Sequence, residues 1–211
     1  MANLLYVEAS PNKQRSVSIE VSRAFLATYA ESNPGDAVHE LDIWAADLPP
    51  FDQHALEAKY AGLAGVDRTD AQNAAWRVLE QLAAPFLTAD KFLLGIPLWN
   101  FSIPYRLKHL IDLVSQKDIL FSFDERGFSG RVKAKKAAVI YARGLDYAPT
   151  SAWTPGESYD FQRPYIEAWL RFIGVTEIHS VVVERTLFGP GIDRESRAKG
   201  RLEAENLARY F

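Results

Sequence analysis

Three short clusters in this chain carry residue types able to hold a charged or an aromatic ligand. The first is Ser10-Pro11-Asn12-Lys13-Gln14-Arg15-Ser16-Val17-Ser18, whose hydroxyls follow the spacing S-x5-S-x-S. It stands directly before an apolar periodicity that opens a helix. A first helical turn offers unpaired N–H groups and a partial positive charge, a setting that favours a phosphate dianion. Three residues after Ser16 stands Ile19, not Glu, so no capping-box carboxylate competes for those amides. Arg15 adds positive charge. The loop has neither G-x-G-x-x-G nor G-x4-G-K-S/T, which argues against a dinucleotide fingerprint and a P-loop. The second cluster is Pro97-Leu98-Trp99-Asn100-Phe101, two aromatics and an amide suited to flat apolar contact with edge hydrogen bonds. The third is Ala142-Arg143-Gly144-Leu145, where Gly144 permits close backbone approach and Arg143 is able to favour an anionic ligand. Each has a plainer reading: a capped serine-rich turn, aromatics packed into the core, and a turn glycine beside a surface arginine.

The elements that must position these clusters alternate between strand and helix. Leu4–Val7 is a short apolar run of the kind buried on both faces of a parallel sheet. Val17, Val21, Ala24, Phe25, Thr28 and Tyr29 recur at helical spacing until Pro34-Gly35. Residues 37–41 read as a second strand, and residues 51–68 as a helical excursion after Pro49-Pro50. Thr69 and Gln72 form a capping-box pattern ahead of a helix with a stripe from Ala71 to Phe86. Residues 92–96 are a third strand, followed by a helix from about Pro104. Residues 137–142 are a fourth strand. Ile166, Trp169, Leu170 and Ile173 stripe a helix closed by Gly174. Residues 178–183 are a fifth strand, and residues 193–210 a last amphipathic helix. Such alternation predicts one α/β domain over residues 1–211, a parallel sheet with helices on both faces. In an open sheet of this kind, ligands sit outside the carboxyl ends of the strands, at the switch in strand order. The three clusters follow strands one, three and four. One loop for a phosphate and two for an aromatic ring describe FMN better than a dinucleotide.

Composition narrows the classes. Lys and Arg number 24 against 27 Asp and Glu, a net charge of −3 that leaves no basic footprint for nucleic acid. There is no cysteine, so disulfides, thiolate metal sites and thiol redox chemistry are excluded, and redox work requires a bound cofactor. His39, His54, His109 and His179 show no metal-ligand spacing. His109 and His179 read as packed or surface residues. No apolar run reaches the length of a membrane span, and no leader is recognisable, so the expected location is the cytoplasm. Arg131, Lys133, Lys135 and Lys136 read as a solvated strand edge, with attraction of NAD(P)H phosphates as the sharper alternative.

On S-x5-S-x-S at Ser10, Ser16 and Ser18, the Pro97–Phe101 block, the Arg143-Gly144 turn and the stretch Phe121–Gly130, the chain resembles the FMN-dependent NADH azoreductases, which are also NADH:quinone reductases. The resemblance runs along the whole length, and the five-residue block is its most specific element. It implies a flavodoxin-like three-layer sandwich with strand order 2-1-3-4-5. It implies homodimers with FMN at the interface, reduction by NADH or NADPH, and passage of the electrons to a quinone or an azo compound. By the match, Ser10, Ser16, Val17 and Ser18 would hold the phosphate. Pro97, Leu98, Trp99, Asn100 and Phe101, with Ala142, Arg143, Gly144 and Leu145, would hold the isoalloxazine. Phe121, Phe123 and Phe128 would cover the partner's flavin or fill a dimer contact. No catalytic acid or base is implied. The chain departs from the family pattern where Ser-Arg-Gly-Gly is usual and Ala142-Arg143-Gly144-Leu145 stands, and where Trp99 replaces tyrosine. Val17 replaces a polar residue, and Phe123 a tyrosine of some members. A flavodoxin-like electron carrier that does not oxidise NADH is the alternative of a different class, and a flavin-free binding protein a third.

Overall fold

A computed structural model describes residues 1–211. Five parallel strands make the central sheet: β1 (Asn3–Glu8), β2 (Ala37–Asp42), β3 (Lys91–Pro97), β6 (Lys136–Ala142) and β7 (Glu177–Val183). Their spatial order is β2-β1-β3-β6-β7, the order expected for the five sheet strands. The helices are α1 (Val17–Ser32), α2 (Gln53–Ala64), α3 (Asp70–Thr88), α4 (Tyr105–Val114), α5 (Gly156–Tyr159), α6 (Arg163–Ile173) and α7 (Pro190–Ala208). Two elements lie outside the sequence expectation. Phe121–Gly130 folds into a separate antiparallel hairpin, β4 (Phe121–Asp124) and β5 (Gly127–Gly130), and α5 is a single turn. The last helix opens at Pro190, one turn before residue 193, because proline suits a first helical position.

The central strands are apolar on both faces, so the sheet separates two cores. One joins Val7, Leu94, Val139 and Tyr141 to α3, α4 and α6. The other joins Leu4, Tyr6, Leu93 and Ile140 to α1 and α7. With both faces covered, the sheet's open ground is its carboxyl edge. The predicted capping box of α3 is present: the Thr69 hydroxyl accepts from Gln72 N–H while the Gln72 side chain accepts from Thr69 N–H. Gly174 closes α6 in the left-handed conformation, φ 116°. No helix is long and apolar enough to cross a membrane.

Candidate functional site

Because β1, β3 and β6 are adjacent, the loops that follow them meet at one edge. Main-chain bonds fix them. Ala9 N–H donates to Gly95 O (3.1 Å) and Leu98 N–H to Ala142 O (2.8 Å). The structure thus gathers all three sequence clusters at the ends of three neighbouring strands.

In the first loop Ser10 and Ser18 are buried and Ser16 is the N-cap of α1. The Ser16 and Ser18 hydroxyl oxygens lie 3.0 Å apart, and Ser10 Oγ accepts from Asn12 N–H at 3.3 Å. The N–H groups of Val17 and Ser18 belong to buried residues and have no acceptor within the chain. A buried, unpaired N–H pair at a helix start demands an acceptor, and with three hydroxyls beside it the donor set suits a phosphate. Charge agrees. Arg15 forms no ion pair, whereas Glu20, in the first turn of α1, is neutralised by Arg197 at 2.6 Å. Lys13 does not face a phosphate: its ammonium bonds Glu8 (2.6 Å), Asp42 (2.7 Å) and Ser10 O (3.1 Å). Burial works against that charge, but the bonds to Asp42 and Glu8 outweigh it and hold the Lys13 pKa above its ordinary value. Lys13 therefore pins the loop to the ends of β1 and β2.

The second loop is a tight turn. Trp99 and Ser102 exchange both N–H to O bonds at 2.9 Å, and Asn100 (φ 46°) and Phe101 (φ 70°) are both left-handed. This pattern matches a type I′ turn. Asn tolerates it; Phe at positive φ is strained by roughly 1–2 kcal/mol. The aromatics are not core plugs. Trp99 is half-buried and Phe101 is 40% exposed, and neither joins a core cluster. Trp99 and Tyr105, with Phe161 and Tyr165, line an open cavity of about 550 Å³ that also takes in Asn100 and Lys108.

The third loop corrects one side-chain expectation. Arg143 is not a free surface cation. It is 4% exposed, and its nitrogens bond Asp160 (2.6 Å), Gln162 (3.0 Å) and Glu184 (3.0 Å). Two carboxylates already balance it. What this turn offers a ligand is Gly144 and Leu145, both half-exposed beside it. A Cβ on Gly144 would collide with the Leu187 side chain. Burial pushes the nearby Tyr141 and Tyr147 hydroxyls up, so neither supplies a phenolate here.

Other residues of this edge escaped the sequence. Trp44, just past β2, donates to Ala9 O (3.1 Å) and packs against Trp99 with ring centres 5.8 Å apart. Arg106 holds that segment by donating to Ile43 O and Ala46 O, both at 2.6 Å. An Ile-Trp pair directly after a predicted strand was the available signal. The Asp160-Phe161-Gln162 segment left no periodicity to read. The basic run lies elsewhere. Lys136 opens β6 at the opposite edge of the sheet, Lys133 pairs with Asp90 (2.5 Å), and Arg131 donates to Asp118 O. His109 contacts Pro49 O at 2.9 Å and His179 pairs with Glu177 at 2.6 Å, packed and surface roles as expected. No group of three or more His, Cys, Asp or Glu side chains is placed to hold a metal ion.

A model of the flavodoxin-like fold family matches residues 2–207. Over its full length the chain is 57% identical to the whole of an FMN-dependent NADH:quinone oxidoreductase from Burkholderia lata. It is 49% identical to another from Pseudomonas fluorescens, covering 98% of that protein. The solved azoreductase of Bacillus anthracis superimposes over the full length of both chains, with a TM-score of 0.88 and 31% identity. The chain belongs to the flavodoxin-like family, among its FMN-dependent NADH:quinone oxidoreductases.

Proposed function

We propose that this chain, acting in the cytoplasm as a homodimer, moves two electrons as hydride from NADH or NADPH through bound FMN to a quinone or an azo compound, in a ping-pong sequence. The observation that carries the reading is the buried, acceptor-less N–H pair of Val17 and Ser18, set among three serines on the same sheet edge as the Trp99 and Gly144 turns. Phosphate at one end and a flat ring at the other is the shape of FMN, and FMN-dependence is in the names of the relatives.

Bound FMN supplies the hydride chemistry itself. The protein's share is binding, orientation and exclusion of water. Val17 and Ser18 N–H, with the Ser10, Ser16 and Ser18 hydroxyls, hold the phosphate, and Arg15 offsets its charge. Trp99 and Phe101 supply apolar contact, Asn100 edge hydrogen bonds, and the Gly144 and Leu145 main chain close approach. Leu145, bulkier than the usual glycine, would bear on the shape of acceptor the site takes. No side chain is required as acid or base.

In the homodimer, the hairpin supplies exposed aromatics, Phe123 at 51% and Phe128 at 69%, to the second copy. Steady-state rates with NADH and benzoquinone both varied test the sequence: parallel double-reciprocal lines support it, and intersecting lines mean both substrates bind together. Sedimentation at micromolar concentration tests the dimer, which a monomer would contradict.

A further inference from the structure

The Asp160-Phe161-Gln162 segment breaks a local rule, and the break points at the site. Gln162 occupies the N-cap of α6, where Ser, Thr, Asp or Asn is preferred, and makes no side-chain cap bond. The cap is supplied by Asp160, whose Oδ1 accepts from Gln162 N–H (3.1 Å) and Arg163 N–H (3.0 Å). The Gln162 side chain turns inward and is fully buried. Its Nε2 donates to Ile96 O (3.0 Å), near the end of β3, and its Oε1 accepts from Arg143 Nε (3.0 Å), in the turn after β6. Beside it Phe161 N–H donates to Phe101 O (2.9 Å), in the strained turn after β3.

We infer that Gln162 is a positioning residue of the flavin site: its amide ties the end of β3 to the loop after β6 and so sets the geometry of the ring that the loops after these two strands would hold. The chemistry demands an amide. Ile96 O, which already accepts from the β6 main chain, has a lone pair left for a side-chain donor, Arg143 Nε needs an acceptor, and one amide meets both. Glu lacks the donor and Met lacks both, while Asn is one methylene short. Arg143, balanced by Asp160 and Glu184, serves as the anchor on the β6 side and not as a charge offered to the ligand. This inference rests on the FMN reading above and adds a residue outside all three ligand loops.

The test compares wild type, Gln162→Met and, as a control for stability alone, the core variant Leu79→Ala, which lies in the buried face of α3. The readouts are FMN Kd, the visible circular dichroism of bound FMN, the apoprotein Tm, and KM and kcat for benzoquinone. Gln162→Met is expected to raise the FMN Kd about tenfold or more, since two buried bonds are lost, and to alter the flavin dichroism. Leu79→Ala is expected to lower Tm and leave both flavin readouts unchanged. If Gln162→Met does not fold, Gln162→Glu, which keeps an acceptor for Arg143 Nε and loses only the bond to Ile96, reads the same quantities. A foldable Gln162 variant with wild-type Kd and dichroism, whatever its Tm, overturns the inference. A wild-type protein that takes up no FMN overturns the functional reading instead.

Discussion

Ser18 is wholly buried and carries two donors, its hydroxyl, 3.0 Å from Ser16 Oγ, and its unpaired N–H. On the proposed phosphate site, Ser18→Ala would remove one charge-assisted bond, worth roughly 1.5–3 kcal/mol, so FMN Kd is expected to rise by about 10–100-fold with little change in the apoprotein's Tm. Titration of apoprotein with FMN checks it. Arg143→Met leaves Asp160 and Glu184 without their shared cation. The expected loss is about 3 kcal/mol in denaturant unfolding, the lower end for a broken buried pair because Glu184 keeps a quarter of its side chain in water. At this scale the serine spacing and the Trp99-Asn100-Phe101 block were legible because both are contiguous motifs tied to helix and turn physics. The engagement of Arg143 was not. Its partners stand 17, 19 and 41 positions away, beyond what spacing along the chain conveys.

Elements decide which loops meet, and the hairpin sets out the exposed aromatics that the proposed homodimer would use. Its seat is tight: a Cβ on Gly130 would overlap the backbone of Ile173 and Gly174, at the end of α6. Gly130→Ala is therefore expected to displace β4–β5, cost about 1–3 kcal/mol as overpacking does, and weaken self-association. Sedimentation with a melting curve reads both effects. Thr69→Ala removes the α3 capping box and is expected to cost about 1 kcal/mol without touching FMN affinity. The sheet strands were legible from their unbroken apolar runs. The hairpin was not, since Phe121, Phe123 and Phe128 alternate over only four residues a side, too short to separate strand from loop by periodicity. Trp44 gave only a weak signal for a related reason: it follows the mostly exposed edge strand β2, away from the β1–β3 switch in strand order.

In the whole molecule, the ligand edge and the stability edge are at opposite ends of the sheet. At the amino end Asp36 and Asp90 accept from Ala2 and Asn3 N–H and tie down the start of β1. The Tyr29 hydroxyl, with Ala2 N–H, holds Asp36 below its ordinary pKa, and Lys133, with Asn3 N–H, does the same for Asp90. A folded pKa lowered in this way adds stability that is complete above the unfolded value, near about pH 4, and is lost as pH falls through the folded one. Unfolding free energy is accordingly expected to be level through neutral pH and to fall below about pH 4. Asp36→Asn is expected to flatten that fall. The fold class was legible from the alternation and the family from the motifs, and the strand order came with the family resemblance. The most direct test of the central claim is the visible spectrum of the purified protein during anaerobic addition of NADH, then of a quinone. Flavin bands that bleach with NADH and return with the quinone are the predicted result. A colourless protein that takes up no added FMN would contradict it.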